Sequence, residues 1–438
     1  MRILHLTPEL PYEEGGGGRG HEFFMCRRLA ELGHDVLNVS PVLPSEAHWS
    51  RALLDVGVEN WVLERPVSHV REAVEAVVRE PSVLATAMVA PVRALEMRVF
   101  WVRLRDLVAQ AVSYLRPDVA IVGHDMAAGW VEGLPASVPV VLTLHNLTWR
   151  WYLSRARRGR GLAPLVLRAE ARRHQRYLLG LLPRYKAAVA LSEIEARDLR
   201  ARAEIPVSVL PVGVDTRTLH SSPEQDGPPR VLFTGTLGYP PNSEGIRWLV
   251  DHVWPQVRAA VPDVRLDVVG RDPPAKVRAL EQRRGVSIVG AVPSMAPYFA
   301  RAHVVVVPIL TGAGVRVKIV EAMAAGRAIV STSLGWEGLP YVRPGRHLIV
   351  ADESEPFAAA VIELLRDRET RRRLGIEARR LAEQRYDWRA LGDDLERVLV
   401  DVVDRRGSPR AGPVLGQALT SNADETSGAG ERHGPAGS

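Results

Sequence analysis

The stretch "ILTGAGVRVKIVEAMAAG" (309–326) gathers chemically useful residues at close spacing. Gly312 and Gly314 precede two cations, Arg316 and Lys318, and the carboxylate of Glu321 follows three positions later. The apolar run "HVVVVP" (303–308) reads as a strand that delivers this loop to the C-terminal edge of a parallel sheet, where open α/β sheets bind ligands. Glycines let backbone N–H groups approach a ligand closely. The helix that follows adds its own unpaired N–H groups and the positive end of its dipole. Lys318 and Glu321, three apart, share one face of that helix. N–H groups, cations and one acid, in that order, suit a nucleoside diphosphate sugar: diphosphate at the helix start, ribose hydroxyls donating to Glu321. Arg316 and Lys318 would point in opposite directions if both were helical, so both reach a diphosphate only if Arg316 stays in the loop.

The first half of the chain offers fewer chemical groups. His124 follows the buried-strand pattern "DVAIVG" (118–123), and His145 and Asn146 close and follow "PVVLTLH" (139–145). The glycines of 15–20, Gly16 and Gly17 among them, satisfy G-x-G-x-x-G. A dinucleotide fingerprint should follow its strand directly, yet a segment with Pro8 and Pro11 intervenes after Thr7. The next strand, "DVLNVS" (35–40), ends without an acid for a ribose, which argues against a dinucleotide-dependent oxidoreductase. No D-x-D occurs, and no His, Cys or carboxylate group shows metal-ligand spacing. The expectation is a site with no metal and no cofactor beyond the nucleotide-sugar co-substrate, in which cations and N–H groups neutralise a leaving diphosphate.

The elements that must position these residues follow from apolar periodicity. Continuous apolar runs alternate with helical patterns along the chain, as parallel strands covered on both faces require. In the first half they include "RILHLT" (2–7), "DVLNVS", "DVAIVG", "PVVLTLH", "AAVALS" (187–192) and "VSVLPV" (207–212). In the second they are "RVLFTGT" (230–236), "VRLDVVG" (264–270), "VSIVGAV" (286–292), "HVVVVP", "AIVSTS" (328–333) and "HLIVAD" (347–352). The fold class is α/β with two doubly wound, Rossmann-like domains. With 438 residues the chain is too long for one core. Residues 1–215 form the first domain, 216–230 a Pro- and Ser-rich linker, 231–385 the second domain, 386–404 an amphipathic closing helix, and 405–438 a Gly/Ser/Pro-rich tail expected to be disordered.

Composition narrows the rest. The single cysteine, Cys26, rules out a disulfide framework and favours a reducing compartment. The N-terminus enters a strand instead of a secretory leader, and no run approaches about 20 apolar residues, so a cytoplasmic location is expected. The most apolar stretch, 83–102, is broken by Arg93, Glu96 and Arg98 and reads as an amphipathic core helix. Net charge is +6, but 150–176 holds nine arginines against one glutamate. That run is either a solvated face or a contact for an anionic partner, a phosphorylated acceptor or an acidic membrane leaflet. No aromatic RNA-stacking motif or zinc-finger spacing accompanies it, which argues against nucleic acid.

"GAGVRVKIVEAMAAGRAIVST" resembles the donor-site signature of the retaining GT-B glycosyltransferases of family 4, in the branch written G-G-G-T-R-x-K-I-x-E-A-M. The resemblance extends through "FTGTLGYPPNSEGIRWL" (233–249), which holds Gly235, and through "VGR" (269–271), "LGWEGL" (334–339), "RYDW" (385–388) and "GGGGRGHEFFMCRRLAELGHDV" (15–36). It implies a GT-B fold and transfer of a sugar, with retention, from a nucleoside diphosphate donor to a hydroxyl acceptor. By the same resemblance Glu321 matches the second acid of the family's E-x7-E pair, which grips the ribose, while Ala313 stands where the first acid would be. Gly16 and Gly17 match the glycine pair that faces the donor phosphates, and Gly235 falls in the donor-side loop. His124 matches a histidine at the acceptor and reacting bond, and His145 with Asn146 a pair at the acceptor cleft. The family's Arg and Lys after the first strand of the second domain are missing, leaving Arg316 and Lys318 to bind the diphosphate. A nucleotide-sugar epimerase or hydrolase, and an inactive nucleotide-sugar-binding protein, share these features.

Overall fold

The computed structural model describes residues 1–15, 17–65, 92–158, 161–221, 227–312 and 314–405. Gly16, Ala313, the first part of the 83–102 stretch and the tail beyond 405 lie outside the described residues.

The first sheet has seven parallel strands: β1 (Arg2–Leu6), β2 (Asp35–Val42), β3 (Glu59–Glu64), β4 (Val119–Gly123), β5 (Val140–Leu144), β6 (Ala187–Ala190) and β7 (Val207–Val209). Their spatial order is β3-β2-β1-β4-β5-β6-β7, so the direction of winding switches between β1 and β4. Neighbouring residues of one strand enter different cores. Ile3, Ile121 and Val141 pack on one face of the sheet, and Leu4, Ala120, Val122 and Leu142 on the other. Burial on both faces explains why these strands read as unbroken apolar runs.

Helices α1 (Gly17–Glu31), α2 (Val92–Leu115), α3 (Thr148–Arg158), α4 (Ala163–Leu181) and α5 (Glu193–Arg200) cover this sheet. α2 takes up the described end of the 83–102 stretch and buries Phe100, Trp101 and Val102. α5 opens on Ser192, whose side chain caps the helix by accepting the Glu195 N–H.

The second sheet is also parallel, with β8 (Arg230–Thr234), β9 (Arg265–Val269), β10 (Val286–Gly290), β11 (Val304–Val307), β12 (Ala328–Ser331) and β13 (Ile349–Val350) in the order β10-β9-β8-β11-β12-β13. Its switch point lies between β8 and β11. The surrounding helices include α6 (Pro240–Trp248), α7 (Trp254–Ala260), α8 (Val317–Ala324), α9 (Ser354–Arg366) and α10 (Arg368–Arg385). Each run expected as a strand overlaps an observed one. β3 was not anticipated: "ENWVLE" mixes charged and apolar residues because it is a half-buried edge strand.

The closing helix α11 (Trp388–Asp404) leaves the second domain and packs on the first. Trp388, Leu391, Leu395 and Leu399 join Ile3, Val119, Ile121 and Val141 in one core. Asp387 caps α11 by accepting the Arg389 N–H and accepts the Thr216 N–H at 3.2 Å, tying the start of the linker to the returning chain.

Candidate functional site

β11 ends against a loop whose last residue, Arg316, has extended backbone (φ −99°, ψ 97°) and stands just before α8. Arg316 therefore belongs to the loop and Lys318 to the helix, the arrangement both cations need to reach one ligand. Both are buried. Arg316 Nη1 donates to Gly314 O at 2.5 Å, folding the side chain beneath its own loop, and burial lowers the guanidinium pKa. Lys318 Nζ donates to Asn242 Oδ1 at 2.8 Å and lies 4.4 Å from the centre of the Phe233 ring. A neutral amide and an aromatic face hold this cation, and Gly235 makes the approach possible. A Cβ on Gly235, whose φ is +140°, would stand 2.8 Å from Lys318 Nζ. Burial, with Arg316 nearby, pushes the Lys318 ammonium down to about 7. Glu321, half-buried one turn up α8, is pushed up to about 6 by burial against the pull of Lys318.

The loop ahead of α8 meets the first domain. A Cβ on Gly314, at φ +83°, would lie 3.1 Å from Asn146 Cβ and 3.4 Å from His145 O. Gly312 N donates to Ser154 Oγ on α3 at 3.0 Å. That N–H, expected to face a ligand, is spent on an inter-domain bond in this state. The loop ahead of α8 and the His145–Asn146 corner are thus in direct contact, although over 160 residues separate them in sequence.

On the first domain, His145 follows β5, and His124, with a left-handed φ of 70°, follows β4. Their rings stack with centroids 3.8 Å apart. Burial and the neighbouring His145 push His124 down to about 3, so its ring is neutral near pH 7. Gly17 opens α1 with φ +48° and open space where a Cβ would be. A Cβ on the next glycine, Gly18, would sit 2.8 Å from His145 Nδ1.

Sequence reasoning missed Glu22, His5 and His21. Glu22 accepts from His145 Nε2 at 2.5 Å and from His5 Nε2 at 2.7 Å. His21 meets the His145 ring edge-on and packs against Trp388 of α11. The signal was there: a histidine inside the apolar run of β1, and a glutamate on the buried side of α1. Linear spacing also showed no metal-ligand group, yet the fold brings one atom each of Glu22, His124 and His145 within 4.8 Å of one another. The His145–Glu22 distance is that of a hydrogen bond. Two ligands on one zinc ion, each at roughly 2.1 Å in tetrahedral geometry, stand about 3.4 Å apart. As placed, Glu22 and His145 are a hydrogen-bonded pair, and His124 stacks on His145.

Comparison with known proteins finds a match on each domain. Residues 15–218 match the family described as Glycosyltransferase Family 4, and residues 228–367 match Glycosyl transferases group 1. A phosphatidyl-myo-inositol mannosyltransferase of Mycobacterium leprae is 31% identical over 223 residues, covering 48% of this chain and 58% of that one. The chain spans little more than half the length of such relatives. Among solved structures, a sucrose-phosphate synthase of Thermosynechococcus elongatus superposes with a TM-score of 0.67 at 17% identity, over 92% of this chain and 100% of that one. The Anabaena protein HepE, crystallised with UDP, superposes at 0.64 with 16% identity, over 92% and 100%. Each doubly wound domain thus matches a glycosyltransferase family, and the two-domain architecture is the GT-B fold.

Proposed function

We propose that this protein transfers a sugar from a nucleoside diphosphate donor to a hydroxyl acceptor, with retention at the anomeric carbon and without a metal ion. The observation that carries this reading is the pair Arg316 and Lys318, buried just beyond the β8/β11 switch point with Glu321 one helical turn away. A lysine held only by an amide oxygen and an aromatic ring has no carboxylate partner to displace, and an incoming anion favours its charged form. When the bond between the anomeric carbon and the diphosphate breaks, the electron pair stays on the phosphate oxygen, and both cations lie where that charge grows. HepE, solved with UDP-glucose, and the sequence resemblance of the α8 signature support a nucleotide-sugar donor and retention.

The acceptor side is the His124, His145 and Asn146 corner. The mannosyltransferase relatives carry a phospholipid in their printed name, which supports a lipid-linked or glycan acceptor and a role in glycolipid, polysaccharide or glycoconjugate synthesis. The α3–α4 hairpin supports peripheral contact with an anionic leaflet. Leu153, Leu162, Leu165 and Val166 are exposed on it, and Leu165, Arg168, Arg172 and Arg176 form one exposed stripe along α4. No described helix is long and apolar enough to cross a membrane.

The test is a thermal-shift screen of UDP-, GDP- and ADP-sugars, followed by nucleotide release with and without candidate acceptors. A matching donor at a hundred times its Kd stabilises the fold by about 2.7 kcal/mol. Acceptor-dependent release supports transfer. Acceptor-independent release indicates a hydrolase or epimerase, binding without release an inactive protein, and no stabilisation by any donor removes the reading.

A further inference from the structure

One hydrogen-bonded chain crosses the first domain from its edge strand to the cleft, and its direction is fixed from one end. Ser50 O is a backbone carbonyl and can only accept, so Asn60 on β3 must present its Nδ2 there, at 2.8 Å. Asn60 Oδ1 is thereby left to accept from Asn38 Nδ2 on β2 at 2.7 Å. Asn38 Oδ1 then faces His5 Nδ1 on β1, also at 2.7 Å, which makes that nitrogen a donor. Strand register builds this row: His5 pairs with Asn38, and Asn38 with Asn60, so the three side chains lie side by side across adjacent strands.

With Nδ1 donating, and with Nε2 2.7 Å from a Glu22 carboxylate oxygen, His5 donates from both ring nitrogens and is an imidazolium. Cys26 Sγ, 3.3 Å from Nδ1, is a second neighbour of that donor. Against the cost of burial, Cys26 and Glu22 hold His5 well above its usual range, and His145 and His5 hold Glu22 well below its own. The second Glu22 oxygen accepts from His145 Nε2, and Gly123 permits the approach, since a Cβ there would stand 2.7 Å from that oxygen. His145 Nε2 thus carries a proton, and in the neutral ring Nδ1 is then the nitrogen with the lone pair. That nitrogen is turned to the glycine start of α1, where a Cβ on Gly18 would intrude to 2.8 Å.

We propose that the Asn60–Asn38–His5–Glu22 row is a positioning device that holds His145 in a single tautomer, with unprotonated Nδ1 presented to the cleft to accept a hydrogen bond from the acceptor hydroxyl. Glu22 is its central positioning residue. The proposal deepens the glycosyl-transfer reading and rests on it for the identity of the hydroxyl, but the tautomer is a property of the free protein.

The experiment is long-range proton–nitrogen NMR of the full chain labelled with 15N-histidine, without substrate, with His145→Gln and His5→Gln used for assignment. At pH 7.5, His145 should show Nε2 protonated and Nδ1 bare, and His5 should show both nitrogens protonated. Glu22→Gln and the milder edge-strand variant Asn60→Leu should each give His145 a mixture of tautomers. In transfer assays Glu22→Gln should lower kcat on the order of tenfold or more while donor affinity holds, because the donor cations sit on the other domain. A His145 protonated at Nδ1 in the unaltered protein overturns the proposal, as does an unchanged tautomer in folded Glu22→Gln or Asn60→Leu. A correct tautomer with no transfer activity would instead count against the functional reading alone.

Discussion

Lys318 is the residue on which charge and function are most tightly linked. Its ammonium is pushed down to about 7, while an unfolded lysine titrates near 10.5. The sign follows directly. The unfolded chain holds more protons between these values, so this group's penalty on folding is full below pH 7 and fades as pH rises toward 10. A bound diphosphate restores the proton, so donor binding at pH 8 should take up a fraction of a proton approaching one, and at pH 6 almost none from this group. Calorimetric titration of UDP in two buffers of different ionisation enthalpy reads that uptake, and an uptake unchanged in Lys318→Met would assign it elsewhere. Glu321→Gln should weaken donor binding by roughly 1–2 kcal/mol through loss of a charge-assisted hydrogen bond. Unaltered affinity in a folded variant would remove the ribose assignment. The cations, glycines and acid of this loop were legible because they lie within ten positions of each other. The His5–Glu22–His145 cluster was not, because its members join across 17 and 123 residues. Nor was the Gly312–Ser154 bond, which depends on how the two domains meet.

Among the elements, the strands that read clearly are those buried on both faces, where every residue must be apolar. β3 escaped notice because an edge strand tolerates charge, yet it supplies Asn60, the far end of the row behind His145. The arginine run resolves into a helical hairpin whose inner side buries Ala171, His174, Leu178 and Leu181, while its outer side keeps Leu165 and Val166 in the open beside Arg168 and Arg172. Sequence alone showed the charge but not that leucines share the exposed face. Vesicles containing phosphatidylglycerol should bind the protein, molar salt should release most of it, and Leu162→Asp with Leu165→Asp should lower the bound fraction severalfold. Equal binding to neutral vesicles, or none to either kind, would return the hairpin to an ordinary solvated surface. α3 also touches the second domain twice, through Ser154 at the loop ahead of α8 and through Arg155, 3.4 Å from Glu244 on α6.

At the scale of the whole molecule, the last helix belongs structurally to the first domain. Leu395 shares a buried core with Val119 and Ile121 and with Ile3, nearly 400 residues earlier in the chain. Leu395→Ala should therefore cost about 2–5 kcal/mol and lower the unfolding temperature of the first domain. A transition that shifts only for the second domain would contradict that packing. The amphipathic pattern of 386–404 announced a helix, but nothing in its sequence named the sheet it covers. This return crossing is pinned by Asp387 and Thr216, while Gly314 meets His145 and Asn146 where the two domains touch. The central claim is that sugar transfer in this cleft is driven by Arg316 and Lys318 acting on the departing diphosphate. Its most direct test is the rate of acceptor-dependent nucleotide release, measured beside donor affinity, for Arg316→Ala, Lys318→Ala and the double variant. The account predicts that each single change slows turnover on the order of 10²-fold while weakening donor binding far less. Near-normal turnover in a folded double variant would show that the diphosphate is held elsewhere.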